Sequence, residues 1–185
     1  MQYSLQTPLQ KSDLAPLRAG DTVLLSGVVY TARDAAHARM MELLDEGKEL
    51  PFPIQGAAVY YVGPTPERPG CAIGAAGPTT SGLMDAYTPR LLDLGLACMI
   101  GKGKRSAAVK ESVVKNGAVY LAAIGGAGAL MARSVQSCEI IAWPDLGCEA
   151  VRRLVVKDFP LTVLLDPHGG DLYESGPATY LASLT

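Results

Sequence analysis

An arginine, a run of hydroxyls and a glycine-flanked lysine are the residues best suited to chemistry here. The stretch Ser26-Gly-Val-Val-Tyr-Thr-Ala-Arg-Asp-Ala-Ala-His-Ala-Arg39 reads as an apolar strand running into a helix, with Arg33 at the junction. The stretch Gly77-Pro-Thr-Thr-Ser-Gly-Leu-Met-Asp85 reads as a second loop-to-helix junction, rich in hydroxyls. Backbone N–H groups are free at helix starts, and the helix dipole favours negative charge there. An arginine adds a planar fork that matches a carboxylate. Two such junctions suit a small anionic ligand.

Each residue also has a plainer reading. The dipole at a helix start makes Arg33 less expected than an acid, so it either captures an anion or pairs with Asp34 or Glu42. Thr79, Thr80 and Ser81 would serve equally as helix caps. Lys102 and Lys104 flank Gly103 in a post-strand loop, where a solvated turn is the ordinary outcome. Gly101 and Gly103 would nevertheless let the backbone approach a ligand closely. Arg39 reads as a solvated helix residue, His37 as lying near the polar side of its helix, and Asp85 as a first-turn acid. Gly125-Gly-Ala-Gly128 hints at a nucleotide loop. Met131 stands where the third glycine of Gly-x-Gly-x-x-Gly belongs, which favours close packing instead.

The elements that position these residues follow from periodicity. Residues 1–20 read as an arm or edge segment, 21–173 as the domain, and 174–185 as an irregular tail. Asp21 to Tyr30 is a strand whose apolar run suggests burial on both faces. Thr31 to Asp34 has capping-box-like spacing before a helix that presents Ala36, Met40, Leu43 and Leu44 and stops at Gly47. Strands are predicted at Ala57–Val62, Cys71–Ala75, Leu96–Ile100, Ala118–Ile124, Glu139–Trp143, Val151–Val156 and Leu161–Leu165. Met84, Tyr87, Leu91 and Leu94 have helical spacing, with Pro89 kinking that helix or starting a second one capped by Thr88. Ser106 to Asn116 is a helix with Gly117 as its stop. Strands and helices mix without strict alternation, which predicts an α/β domain with a mixed β-sheet.

Composition narrows the class. The chain has 185 residues, 49% apolar and 18% charged, enough for one domain with a core and too apolar for disorder. A net charge of −2 gives no reason to expect nucleic acid. The 17 uncharged residues between Lys115 and Arg133 fall short of a membrane span. Met1 to Leu17 lacks a charged-then-apolar leader pattern, so a soluble cytoplasmic protein is expected. Cys71, Cys98, Cys138 and Cys148 have no metal-ligand spacing, and His37 and His168 are far apart.

With these motifs the chain resembles the β subunit of class I fumarate hydratase and L-tartrate dehydratase, the C-terminal domain of the single-chain forms. The resemblance rests on residues 27–37, Tyr-Val-Gly-Pro (61–64), Gly-Pro-Thr-Thr-Ser-Gly-x-Met-Asp (77–85), Ile-Gly-Lys-Gly (100–103), Ile-Gly-Gly-Ala (124–127), Asp-Phe-Pro (158–160) and Asp171-Leu-Tyr173. It implies a single swivelling β/β/α-type domain and an iron–sulfur hydro-lyase acting on a small dicarboxylate such as fumarate, malate or tartrate. It further implies a [4Fe-4S] cluster held by a partner α subunit and none bound by this chain alone; a homodimeric or heterotetrameric assembly is expected, symmetric pairing being the commonest arrangement of soluble proteins. By the same resemblance Arg33 and Lys102 are carboxylate partners, Thr79 moves a proton or orients the substrate, and Thr80 contacts the substrate. Where the family usually has arginine before Met-Asp, this chain has Leu83. The alternative is a non-catalytic anion-binding or partner-stabilising module on the same fold.

Overall fold

The apolar run after Asp21 becomes strand β2 (Thr22–Thr31), whose residues Val23, Leu25 and Val29 are fully buried while those between them are partly exposed. In the computed structural model, which describes residues 1–184, β2 starts a series of parallel strands. Strand β1 (Gln2–Gln6) lies parallel to β2 as an edge strand, and β3 (Ala58–Tyr60), β4 (Cys98–Gly101) and β5 (Val119–Ala122) follow in parallel. Strand β7 (Val151–Leu165) runs antiparallel to β5 and also to β2. The order β2-β3-β4-β5-β7 therefore closes on itself, with β6 (Val135–Ala142) appended to β7. Closure satisfies backbone groups that an open sheet would leave at its edges.

Side-chain alternation along the strands assigns two cores. Ala58, Tyr60, Cys98, Ile100, Val119 and Leu121 meet Val23, Leu25, Leu154 and Phe159 inside the ring. The intervening Val59, Met99 and Tyr120 face outward, against Met40 of helix α2 (Asp34–Asp45), Leu91 of α3 (Thr88–Asp93) and Val109 of α4 (Ala107–Asn116). Helix α4 starts on Ser106, whose hydroxyl accepts from the Val109 N–H, and stops at Gly117 in the left-handed region. With the short helices α1 (Lys11–Leu14) and α5 (Gly128–Ala132) in the connections, the result is the α/β architecture with a mixed sheet that the sequence predicts, seven strands among the described residues.

Several elements differ from expectation, each for a tertiary reason. Cys71–Ala75 is irregular; Gly74 packs on Thr65, and the Ala75 N–H is taken by the Thr65 hydroxyl rather than a ladder. The two strands expected on either side of Lys157-Asp-Phe-Pro160 are one, because Asp158 adopts φ 49° opposite a register shift between Leu25 and Gly27 of β2. The helix expected over Met84–Leu94 divides into a 3-10 turn (Ser81–Met84) and α3, with Pro89 in the first turn and Tyr87, not Thr88, at the cap. The Thr31 cap is also corrected. Thr31 ends β2 and Arg33 is the cap residue of α2, without a side-chain cap bond of its own. Finally, the segment expected to be an irregular tail forms helix α6 (Leu172–Ala182), with the Asp171 carboxylate accepting from the Tyr173 N–H. No helix among the described residues is long and apolar enough to cross a membrane.

Candidate functional site

The carboxyl ends of adjacent parallel strands are where an α/β sheet presents loops to a ligand. Arg33 follows the end of β2, Tyr61 to Gly63 follow β3, and Lys102 follows β4. The Thr79 N–H and hydroxyl both donate to the Tyr61 carbonyl, at 2.8 and 2.9 Å. Thr80 forms a parallel bridge with Lys102, and the Ser81 N–H donates to the Lys102 carbonyl at 2.9 Å. Arg33 lies over Gly63, whose Cβ, were there one, would sit 3.3 Å from Arg33 Nη1. The segment after β3 thus links Arg33 on one side to Thr79 on the other, and Thr80 links onward to Lys102. All four residues singled out in the sequence share one edge of the fold.

Gly101 shows why this loop demands a glycine. A Cβ there would stand 2.0 Å from Ser81 Oγ and 2.9 Å from the Tyr61 ring. The Ser81 hydroxyl accepts from the Lys102 N–H at 3.1 Å, and the Tyr120 hydroxyl reaches Ser81 Oγ at 2.8 Å and the Gly103 carbonyl at 3.0 Å. The Gly103 N–H donates to the Tyr173 hydroxyl at 2.9 Å, so the first turn of α6 braces the lysine loop. Lys102 itself is exposed, passes over Gly125, and forms no ion pair among the described residues.

Beneath the hydroxyls lies a buried charge. The Arg105 side chain is fully buried; its Nε donates to Asp85 Oδ1 at 2.6 Å and its Nη2 to Thr88 Oγ1 at 2.8 Å. The guanidinium faces the rings of Tyr61 and Tyr120 at 5.5 and 5.0 Å. Asp85 also accepts from the Ser106 N–H at 2.6 Å, which makes it an anchor for α4 rather than only a first-turn acid.

Arg33 is half-buried between two carboxylates, Glu149 at 3.3 Å and Asp34 at 3.4 Å, and its Nε is buried without a partner. Of the carboxylates that its plainer reading named, Asp34 is engaged; Glu149 was not foreseen. His37 is a correction. It is fully buried, not on a polar face, because α2 lays it between Tyr61 and Tyr87. Its Nδ1 lies 2.8 Å from the Arg33 carbonyl, which can only accept, so Nδ1 carries the proton. Burial holds His37 neutral, its pKa pulled down to about 4. Arg39 is not simply solvated; it grips Asp145 through both Nη atoms at 3.0 and 2.5 Å. Leu83 is well exposed, at 57%, three residues beyond Thr80.

Sequence reasoning missed Glu149, Arg105 and Tyr120, which no local signal marks, and Tyr173 stood out only within a motif of the resemblance, without a role in bracing the lysine loop. Among the described residues no group of three or more His, Cys, Asp or Glu side chains is placed to hold a metal. Cys98 is buried in β4 while Cys71 and Cys148 are exposed, so the cysteines of this chain do not fit an iron–sulfur cluster.

Comparison with known proteins adds three findings. A family model described as Fumarase C-terminus matches residues 1–176. The anaerobic class I fumarate hydratase of Escherichia coli K12 is 37% identical over 178 residues, covering 94% of this chain and 32% of that protein. A Methanocaldococcus jannaschii protein named "Putative L(+)-tartrate dehydratase subunit beta" is 37% identical over 180 residues, covering 94% of this chain and 92% of that one. The chain thus spans about a third of the fumarate hydratase and nearly all of the subunit.

Proposed function

The chain belongs to the fumarase C-terminus family, and from that membership we propose that it is the β half of a hydro-lyase that adds water to, or removes it from, a small dicarboxylate. The observation that carries the reading is the shared edge of Arg33, Thr79, Thr80 and Lys102, two cations flanking two hydroxyls. In this reading Arg33 and Lys102 each take one carboxylate, through a fork and a point charge respectively. Abstraction of a proton alpha to a carboxylate builds negative charge, and these fixed cations stabilise it. Thr79 is the candidate for moving or orienting that proton. Its hydroxyl proton is directed at the Tyr61 carbonyl, which leaves its lone pairs free to accept. Thr80 contacts the substrate beside it.

The other half of the site would come from an α subunit carrying a [4Fe-4S] cluster, which supplies the Lewis acidity that draws off hydroxide. Support for a separate partner is the match along 92% of a protein named as a subunit beta, against 32% of a single-chain fumarate hydratase. Anaerobic co-purification with a cysteine-rich partner is expected to give fumarate hydration or tartrate dehydration, with this chain alone inert. Robust turnover by the isolated chain would overturn the division of labour.

Leu83 favours a second reading. An exposed leucine beside the hydroxyls offers no fork where a further carboxylate contact is usual, which suits a non-catalytic anion-binding or partner-stabilising module. Leu83→Arg separates the two: a large gain in dicarboxylate affinity without turnover supports the module, and turnover by the unaltered complex excludes it.

A further inference from the structure

Glu149 already occupies the place that the proposed site reserves for a ligand. Its Oε1 lies 3.3 Å from Arg33 Nη1, and its Oε2 accepts from the Ala35 N–H at 3.3 Å. One carboxylate therefore engages both features that attract an anion here, the guanidinium and the first-turn amides of α2. It reaches them from 114 residues along the chain.

The segment that delivers it is a strap, residues 143–150, laid across α2. Its leading end is gripped by the two Arg39–Asp145 contacts at 3.0 and 2.5 Å. Its trailing end is pinned by Arg152, which donates to the carbonyls of Gly147, Cys148 and Ala150 at 2.9, 2.9 and 3.2 Å. Between these anchors the hold on Arg33 is slack. Charge-assisted N–H···O contacts are usually about 2.7–2.9 Å, whereas both carboxylates around Arg33 stand at 3.3–3.4 Å and its Nε has no partner. The guanidinium is kept in place without being saturated.

We propose that Glu149 is a positioning and specificity residue: it holds the carboxylate seat formed by Arg33 and the start of α2, and yields that seat to a ligand carboxylate. The proposal rests on Arg33 being a carboxylate partner. An internal competitor raises the threshold for entry. An anion with a single carboxylate gains only the contact that Glu149 already makes, and exchange brings it little. A dicarboxylate whose second group reaches Lys102 adds a contact that Glu149 cannot supply. The strap thereby converts a general anion site into one that prefers a dianion.

The test uses the full chain, with Arg33 modification by phenylglyoxal followed by peptide mass spectrometry during titration with L-tartrate or acetate. Glu149→Gln keeps an oxygen for the Ala35 N–H and removes the charge. Its Arg33 is expected to react faster, and the L-tartrate concentration that halves the rate should fall about fivefold, as for a part-exposed ion pair worth up to about 1 kcal/mol. Acetate should protect Arg33 in Glu149→Gln and not in the unaltered chain. Asp145→Asn, which slackens the strap without touching Arg33, should shift protection in the same direction by less, so a folding defect in one variant does not decide the matter. Equal half-protection concentrations in the unaltered chain and Glu149→Gln, or a rise, would overturn the role of Glu149 while leaving Arg33 as a carboxylate partner. Faster reaction in Glu149→Gln with no protection by L-tartrate in any of the proteins would instead overturn the reading of Arg33 itself.

Discussion

Arg105 and Asp85 form a buried ion pair at 2.6 Å that joins the two loops bearing Thr79, Thr80 and Lys102. The arginine side chain is fully buried and that of Asp85 is 18% exposed, so removing either partner strands the other. Breaking such a pair costs about 3–5 kcal/mol. Asp85→Ala also frees the Ser106 N–H at the start of α4. Asp85→Ala is therefore expected to lose about 3 kcal/mol or more in denaturant unfolding. A loss within about 0.5 kcal/mol would show that solvent already screens the pair.

Gly101→Ala probes the same junction sterically. The new methyl would meet Ser81 Oγ, which accepts from the Lys102 N–H, and the buried ring of Tyr61, whose backbone carbonyl accepts from Thr79. Overpacking of this kind costs about 1–3 kcal/mol. The variant should melt lower and lose ligand affinity together, because Ser81 Oγ accepts from the Lys102 N–H next to the Thr80–Lys102 bridge, and displacing it disturbs both loops. Calorimetry alongside L-tartrate titration checks both.

What the sequence made legible is local. Ser106 and Gly117 bracket α4 because a hydroxyl cap and a left-handed stop act within one turn. Arg33, Thr79, Thr80 and Lys102 stand out in the sequence because each sits at a strand or helix junction, but the roles proposed for them come from the family resemblance rather than from neighbouring residues. Glu149 was not readable, since its partner amide lies 114 positions away. Nor was the burial of Arg105, which depends on Asp85 after the 3-10 turn, Thr88 of α3, Tyr61 after β3 and Tyr120 of β5 converging on it. Asp158 and Pro160 resembled a break between strands because local propensity carries no knowledge of β2, whose antiparallel pairing includes Pro160 and resumes at Val156 beyond the bulge that holds Asp158.

His37 should make stability depend on pH. Burial lowers its folded pKa from 6.5 to about 4; the Arg33 carbonyl and Asp34 favour its charge, while Arg105 opposes it. The unfolded chain therefore takes up the proton first as pH falls. The stability contributed by neutral His37 is complete above about pH 6.5 and is lost progressively down to about pH 4, some 3 kcal/mol in all by linkage. Asp21, Asp93, Asp145 and Asp166 have carboxyls held below their ordinary range, so their losses fall at lower pH. His37→Asn keeps an N–H near the Arg33 carbonyl and cannot titrate. Its urea unfolding free energy should be lower at pH 7 and nearly flat between pH 6.5 and 4; an unaltered slope would place the titration elsewhere.

Arg33→Ala separates binding from folding. Its contacts to Glu149 and Asp34 are long and partly exposed, so their loss should cost no more than about 1 kcal/mol of stability. Glu149 keeps its hydrogen bond from the Ala35 N–H, and α2 retains that cap. If the proposed function holds, the variant assembled with an α subunit should lose a charge-assisted contact to a substrate carboxylate. Loss of about 2–4 kcal/mol of transition-state stabilisation lowers kcat/KM by roughly 30- to 1000-fold. Arg33→Lys should recover only part of the loss, because an ammonium cannot present the two parallel donors of a guanidinium. Steady-state kinetics on a dicarboxylate, set against thermal melts of the same preparations, decide the point. Unchanged kinetics in a folded Arg33→Ala complex would remove this arginine from the site.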